Sequence, residues 1–475
     1  MSMQRKSVAE GHHRESTRSL AELILGLRFE DIPDEVVNRA VQSALDFFGV
    51  SIGASQHPLV GKMVRVSAAL GSPAQTTVIG RKERRDALWA ALINGSMAHI
   101  LDFDDTHFPT ILHGYAPILS ACLALSEALP NVCGDGSGMG KVSGKELIVA
   151  FVAGYETSAR VALSVHPSHY DRGWHVTGTA GVFGASVACG KLLRLDVDRM
   201  VHALGIAASQ ASGLREMFGT MTKPFHAGKA AQNGLLAALL AREGFTSSKR
   251  SLEAERGFCH VMSDDPHLDR LTEGWASKWE ILSSGFKPYP CGVVTHPAID
   301  GVISLRQKNA LDYRRVTSVR AKCHPLVLEL TGKSEPQTGL EGKFSIYHCL
   351  AVALVDGVVA PSSFTDGRVG DAEIKKVRNL VTVAVDDSLG EDQAEVAIEL
   401  EGGHIVREFV EHASGTPERP LTAIELERKF SALVSDHPDL EALNIDRLKR
   451  DIFGIHELDD IRCLLKAASP RREHL

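Results

Sequence analysis

The chain has 475 residues, of which 44% are hydrophobic and 23% are charged, a composition typical of a globular protein large enough for two or three domains. Its formal net charge of −7 comes from 59 acidic and 52 basic residues. No basic stripe is present to attract a phosphate backbone, so a nucleic acid partner is not expected. The eight cysteines are scattered singly without a CxxC pair, which argues against a disulfide framework or a zinc ribbon.

The first twenty residues are polar and lack the apolar segment of a signal peptide. No uninterrupted apolar run in the sequence reaches the roughly 18 residues needed for a membrane span. We therefore expect a cytoplasmic protein that has no membrane partner.

Apolar residues recur at three- and four-residue spacing from about residue 17 to 280, which indicates α-helix. The clearest segments are 33–52, 86–100, 114–129, 144–163, 198–212 and 224–242. Several are rich in Ala, Gly and Ser, as in GTAGVFGASVACGKLL, so that helix backbones can approach one another closely. This part of the chain is predicted to be a tightly packed helical bundle.

The pattern changes after about residue 284, where the β-rich runs RVTSVRAKCHPLVLEL, NLVTVAVDD and AEVAIELEGGHIVREFV begin. The last run contains a Gly-Gly turn typical of a hairpin, and helical stretches are predicted at 343–358 and 371–379. From residue 420 onward the pattern is helical again. We predict a mainly α fold, in which residues 15–283 and 413–470 form a large all-helical domain and residues 284–412 form a smaller α+β domain.

Two short motifs match catalytic patterns but lack the structural context that these require. Gly49 to Gly53 fits GxSxG, yet the preceding ALDFFGV is helical, so a close-packed helix end is the favoured interpretation. The Gly-rich stretch 134–144 lacks the spacing of a phosphate-binding loop and is predicted to be a surface loop. None of the 21 histidines forms an HExxH or HxxEH motif, so no metal ligand is assigned. The sequence does not exclude a metal site whose ligands are distant from one another along the chain.

Ionisable residues crowd into the segment HILDFDDTHFPTILHG, at the end of an apolar helix. Asp102 and Thr106 are four residues apart and share a face if the helix persists. His107 and His113 follow within the same segment. The alternative interpretation is a solvated helix end followed by a turn.

Two further clusters interrupt well-packed helical sequence. His175 precedes a run of small residues in HYDRGWHVTGTAGVFGAS, where a satisfied core histidine is the alternative. In TMTKPFHAGKAAQNG, Pro224 suits the first helical position and would hold Lys223 in an extended conformation just outside the helix. Lys287 precedes Pro288 in the same way, at the change from helical to β-rich sequence.

Lysines beside the free N–H groups of a helix start suit the binding of a carboxylate. The positions of Lys223 and Lys287 therefore favour an interdomain cleft lined by cations. Removing a proton α to a carboxylate builds negative charge on its oxygens, which such cations stabilise, and His113 or His175 could take or return the proton near neutral pH. These residues indicate an enzyme acting on a small carboxylic acid. A carboxylate-binding protein without catalysis is the non-enzymatic alternative.

Six segments, in this order and spacing, resemble the MmgE/PrpD family of 2-methylcitrate dehydratases, cis-aconitate decarboxylases and iminodisuccinate epimerases: ALDFFGVSIGA, NGSMAHILDFDDTH, GWHVTGTAGVFGA, ALGIAASQASGL, MTKPFHAGKAAQNG and KPYPCGVVTHPAID. The resemblance runs from about residue 17 to 460. It implies a helical domain built from both ends of the chain, an α+β lid domain near 284–412, a homodimer, and neither a metal nor an organic cofactor.

The resemblance also implies the site residues. The catalytic positions would be Asp102, Thr106, His113 and His175, and the substrate-binding positions Lys223, Lys287 and His107, with His107 also a second candidate for the role of His113. The implied activity is that of a lyase acting on a small tricarboxylate, similar to 2-methylcitrate dehydratase. Decarboxylation of cis-aconitate and epimerisation of a dicarboxylate such as iminodisuccinate are the alternatives.

Overall fold

The computed structural model of the protein describes residues 15–134 and 140–470, so the centre of the Gly-rich stretch 134–144 lies outside the described residues. The helices are α1 Ser16–Gly26, α2 Asp34–Ala54, α3 Pro58–Ala69, α4 Ala87–Ile100, α5 Tyr115–Cys133, α6 Gly144–Val165, α7 Ser168–Asp171, α8 Val176–Thr179, α9 Gly181–Leu192, α10 Val197–Ala208, α11 Thr222–Arg242, α12 Phe258–Met262, α13 His296–Lys308, α14 Leu326–Thr331, α15 Gly339–Gly342, α16 Ile346–Asp356, α17 Asp366–Gly370, α18 Ala372–Arg378, α19 Ala423–Ser435, α20 Ile445–Phe453 and α21 Arg462–Ala467. The strands are β1 Thr76–Thr77, β2 Arg84–Arg85, β3 Asp105–His107, β4 Ser284–Phe286, β5 Val316–Cys323, β6 Val381–Val385, β7 Ala394–Leu400 and β8 Ile405–Val410. The predicted mainly α fold with a smaller α+β part is confirmed.

The larger hydrophobic core is formed by side chains from residues 20–286 and 426–468. Small residues let its helices approach closely, as the sequence predicts. At the crossing of α4 and α11, a Cβ added at Gly95 would lie 2.8 Å from the Cα of Gly228. This close crossing fixes the helix that leads into Asp102 against the helix that carries Lys223.

Two helices of this core, α5 and α6, are long and apolar enough to cross a membrane by length and composition alone. Charged residues such as Glu127 and Glu156 interrupt both, which is why the sequence shows no uninterrupted apolar run. Most of the residues in both helices are buried inside the protein. Apolar helices that are buried on all sides are usual in the core of a large helical domain.

The C-terminal helices pack back onto the N-terminal part of the chain. A Cβ added at Gly49 on α2 would lie 2.9 Å from the ring of Phe430 on α19, and one at Gly53 would lie 2.9 Å from the carbonyl oxygen of Leu433. The GxSxG match therefore lies inside a helix, where its glycines allow a close helix–helix contact, as predicted.

The smaller core is formed by residues 291–398 around a four-stranded sheet with strand order β6-β5-β7-β8. Strands β5 and β6 are parallel, and the other two pairs are antiparallel. The predicted hairpin is β7–β8, with Gly402 and Gly403 at positive φ of 89° and 81° in its turn. One detail of the prediction is wrong: the run HPLVLEL continues not as strand but as α14, because Pro325 starts a helix there.

A short two-stranded sheet joins the segment after α4 to the segment that leads into the smaller core. Thr106 on β3 pairs with Gly285 on β4, and Asp105 pairs with Phe286. Gly285 is required at this position, because a Cβ there would lie 1.8 Å from the carbonyl oxygen of Gly415. This pairing brings Lys287, the residue after β4, next to Asp102.

Candidate active site

A buried cavity of about 30 Å³ lies where the two cores meet. Its polar lining consists of Asp102, His113, Tyr170, His175, Lys223, Lys287 and Thr331. The apolar lining consists of Ile111, Phe218, Val293, Val294, Leu330 and Phe344, with Gly292 between them. The charged lining residues are Asp102 and Lys223 from the helical part and Lys287 from the segment between the two cores, whereas residues 292–344 contribute mainly apolar surface.

Asp102 lies at the centre of the polar lining and binds both predicted lysines. Its Oδ1 accepts from the Nζ of Lys223 at 2.6 Å and from the Nζ of Lys287 at 2.7 Å. All three side chains are buried. Two ammonium groups against one carboxylate leave a net positive charge at the cavity wall, which favours an anionic ligand.

The pKa directions within this trio follow from burial and from the opposite charges. Burial alone would raise the pKa of Asp102, but Lys223 and Lys287 outweigh it and hold that pKa well below its usual value. Burial lowers the pKa of Lys223, only partly offset by Asp102. For Lys287 the attraction of Asp102 and Asp104 exceeds the effect of burial, so its pKa is raised.

The condition attached to one prediction about these residues is not met, and a second prediction is wrong. Helix α4 ends at Ile100 and Asp102 adopts a left-handed conformation with φ of 51°, so Asp102 and Thr106 do not share a helical face. Helix α11 begins at Thr222, which places Lys223 inside its first turn. The sequence around Pro224 indicates a helix start, but Pro is also tolerated elsewhere in the first turn, where its missing N–H has no intrahelical partner.

His113 has the geometry of a neutral base. Its Nδ1 lies 2.5 Å from the carbonyl oxygen of Asp105, and because a carbonyl only accepts, this nitrogen carries the proton. The lone pair is then on Nε2, on a ring that lines the cavity. Burial, together with the nearby Lys287, lowers the pKa of His113 well below its usual value despite the attraction of Asp104.

His175 lines the same cavity, with its ring centroid 6.4 Å from that of His113. Its Nδ1 is 3.0 Å from the Nδ1 of His226, while its Nε2 is buried without a partner among the described residues. Burial and the neighbouring His99 lower its pKa well below the usual value. His175 is therefore a second neutral imidazole that lines the cavity.

Thr106 and His107 lie outside the cavity lining. The Oγ1 of Thr106 is 3.4 Å from the Nδ1 of His113, so it touches the base rather than the cavity. The Nδ1 of His107 is 2.8 Å from the Oγ1 of Thr110, and its Nε2 is 3.4 Å from Glu280. With both ring nitrogens occupied, His107 has no free atom for a ligand in this conformation.

The structure adds residues to which the sequence analysis gave no role. Asp104 lies behind the histidines, with its Oδ2 2.5 Å from the Nδ1 of His99 and 3.8 Å from the Nδ1 of His113. A buried histidine in the apolar run NGSMAHIL was the available signal for His99. No local pattern points to Tyr170, Phe218 or Phe344, which reach the cavity only through tertiary packing.

Three histidines come close enough to be considered as metal ligands. One ligand atom from each of His99, His113 and His175 lies within 4.8 Å of the other two. Sequence spacing could not show this group, because its members come from separate segments. Asp104 holds one Nδ1 in the way that carboxylates orient metal-binding histidines, so the residues are compatible with an ion as well as with proton transfer.

The arrangement can fix an anionic group against two lysines and present neutral imidazoles to an adjacent carbon. Such an arrangement of cations and neutral imidazoles suits a carboxylate ligand and proton transfer at the carbon next to it. Residues 18–271 match the MmgE/PrpD N-terminal domain and residues 289–451 match the MmgE/PrpD C-terminal domain, so the chain belongs to the MmgE/PrpD family.

Several characterised relatives are similar along almost the whole chain. The cis-aconitate decarboxylase of Aspergillus terreus is 28% identical over 468 residues, covering 93% of each chain. The cis-aconitate decarboxylase of Mus musculus is 27% identical and covers 94% of this chain and 91% of its own. That of Homo sapiens is also 27% identical and covers 96% and 95%.

Proposed function

We propose that the protein is a lyase that acts on a citrate-like tricarboxylate, and that it removes a proton from the carbon next to a carboxylate held by Lys223 and Lys287. The observation that carries this proposal is the contact of both lysines with one oxygen of Asp102, beside a histidine whose basic nitrogen is free. Asp102 keeps two buried cations together in the absence of substrate, and an incoming carboxylate takes up the remaining positive charge.

His113 is the proposed base. A neutral imidazole is ready to accept a proton, and charge then grows on the carboxylate oxygens, where the two lysines stabilise it. The cavity is buried, which strengthens this stabilisation because water does not screen the charges. His175, which lines the same cavity, is proposed to hold a substrate oxygen or to return a proton.

Dehydration is the preferred reaction because it begins with the step for which neutral histidines are suited. Loss of the proton and of a hydroxide from the neighbouring carbon gives an unsaturated acid and water. Decarboxylation is the second candidate, supported by the relatives, which are cis-aconitate decarboxylases. That reaction loses carbon dioxide and then needs a proton donor at the carbon.

Product analysis with a set of acids separates these reactions. Purified protein is incubated with 2-methylcitrate, citrate, cis-aconitate and iminodisuccinate. The products are identified by mass spectrometry, and circular dichroism of the recovered iminodisuccinate detects a change of configuration. Loss of water supports dehydration, and loss of carbon dioxide supports decarboxylation. Inversion of iminodisuccinate with no product of lower mass from any acid would contradict a lyase.

A further inference from the structure

Tyr170 lines the cavity, and its buried hydroxyl makes no hydrogen bond with the described residues. The residue lies on the short helix α7, lines the cavity and is only 4% exposed. Its Oη has no hydrogen-bond partner among the described residues. Buried hydroxyls are nearly always bonded, so an exception beside a ligand cavity calls for a partner that the ligand supplies.

The surrounding contacts hold this side chain firmly. The guanidinium carbon of Arg215 lies 4.0 Å from the centre of the Tyr170 ring, and the Nη1 of Arg215 donates to the Tyr170 carbonyl oxygen at 2.8 Å. Arg215 also forms an ion pair with Glu329 on α14. The next residue, Leu330, lines the cavity, so one arginine links the tyrosine to the α+β wall.

The protonation state of Tyr170 defines what its hydroxyl can do. Burial raises the pKa of this phenol well above its usual value, although the nearby Arg215 lowers it in part. The phenol is therefore protonated at neutral pH, and it acts as a hydrogen-bond donor rather than as a base.

The other residues that line the cavity indicate which part of a substrate such a donor would contact. Lys223 and Lys287 are proposed to bind one carboxylate. On the facing wall, four of the side chains have no hydrogen bond to offer a ligand: Val293, Val294 and Leu330 are apolar, and the hydroxyl of Thr331 already donates to the carbonyl oxygen of Val327 at 2.5 Å. A second oxygen-bearing group on the substrate therefore meets a neutral donor from the helical side.

We propose that the Tyr170 hydroxyl donates a hydrogen bond to a second oxygen-bearing group of the substrate, a hydroxyl or a further carboxylate, and so determines which acids the site accepts. This inference rests on the proposed function, because it takes the cavity to be the substrate site. It adds a specificity-determining residue, and it requires the substrate to carry oxygen at two separate positions.

The test compares Tyr170→Phe with two other Tyr→Phe variants. Binding of citrate, tricarballylate and cis-aconitate is measured by calorimetry, and turnover is measured with the acid that the wild type converts. Citrate and tricarballylate differ only by the hydroxyl, so they separate its two possible partners. Tyr313→Phe, in a half-exposed residue bonded to Glu373, is the control for turnover.

We expect Tyr170→Phe to lower kcat/KM by roughly 10- to 100-fold, since an unmet buried group is left on the substrate. Loss of citrate affinity alone identifies the substrate hydroxyl as the partner, and loss with both acids identifies a carboxylate. Tyr313→Phe should match the wild type. Unchanged binding and turnover in Tyr170→Phe would overturn the proposal for Tyr170 and leave the proposed function standing. If the wild-type protein neither binds nor converts any of the acids, both the proposal for Tyr170 and the proposed function are overturned.

Stability provides an independent readout. Because the Tyr170 hydroxyl has no partner in the free protein, Tyr170→Phe should keep or raise the urea midpoint of unfolding. Tyr155→Phe should lower it, because the Oη of Tyr155 donates to Oδ2 of Asp105 at 2.9 Å. A midpoint for Tyr170→Phe that falls as far as that of Tyr155→Phe would show a bonded, structural hydroxyl and would overturn the proposal.

Discussion

Asp102 is the residue on which the arrangement of the site depends. Its left-handed backbone conformation turns the chain directly after α4, and Asp tolerates this conformation better than most residues. The turn aims the carboxylate at two lysines from different segments. The Oδ2 atom of Asp102 has no hydrogen-bond partner among the described residues. It can therefore accept a hydrogen bond from a ligand.

The role of Lys223 can be tested by removing its charge while keeping its length. Lys223→Met retains most of the apolar stem. We expect kcat/KM to fall by about 10- to 150-fold, because a charge-assisted contact of about 1.5–3 kcal/mol to the substrate carboxylate is lost. Lys229→Met, on the same helix but outside the cavity lining, is the matched control and should keep wild-type kinetics. Steady-state kinetics with equal values for all three proteins would remove Lys223 from the site.

The lowered pKa of His113 predicts the pH dependence of the reaction. An imidazole whose pKa lies below its ordinary value of about 6.5 is already neutral at pH 7 and stays neutral as the pH falls through 6.5. The acid limb of kcat/KM should therefore lie below pH 6.5, with no gain in activity between about pH 6.5 and 8. A profile of kcat/KM that rises with a midpoint at or above the ordinary imidazole value would contradict a buried neutral base.

At the scale of elements, the crossing of α4 and α11 sets the distance between Asp102 and Lys223. A Cβ at Gly228 would lie 2.1 Å from the carbonyl oxygen of Leu92, so Gly228→Ala forces the helices apart. We expect a loss of about 1–3 kcal/mol in the free energy of unfolding, as for other overpacked sites. Activity should fall as well, since the lysine moves away from its partner.

The control for this prediction is Gly26→Ala at the end of α1, where an added Cβ has nothing within 4 Å. That substitution should be neutral or slightly stabilising, because Ala has the higher helix propensity. Urea unfolding followed by circular dichroism measures both variants. Equal stability of the two would mean that the close approach of α4 and α11 contributes nothing to the fold.

The sequence predicts the long helices well, because their apolar spacing is a local property of each segment. It also predicts the pairing of Lys223 and Lys287 in one cleft, since both precede a proline at a change of structure. The end of α4 is predicted less well, because no local sequence pattern marks the left-handed turn at Asp102. Tyr170 was not predicted as a site residue because its role depends on burial and on Arg215, neither of which local spacing reveals.

At the scale of the whole molecule, the cavity between the two cores is small. A cavity of about 30 Å³ has room for one or two waters, whereas a tricarboxylate is several times larger. Contacts across the seam, including the rings of Phe218 and Phe344 with centroids 5.4 Å apart, must therefore separate for the acid to enter.

The lysines supply the positive charge of the proposed reaction, so we expect activity without an added metal ion. Protein dialysed against a strong chelator should retain its kcat/KM. The three-histidine group gives this experiment a definite alternative, because those residues can hold an ion. Activity that is abolished by the chelator and restored by zinc or iron would assign the group to metal binding instead.

The central claim is that His113 removes a substrate proton next to a carboxylate. Proton NMR in deuterated water, with the acid that the wild-type protein converts, follows this proton directly. The wild type should lose the proton signal and form the unsaturated product, whereas His113→Asn should do both at least about 100-fold more slowly. Equal rates of proton loss in the wild type and in His113→Asn would contradict the claim.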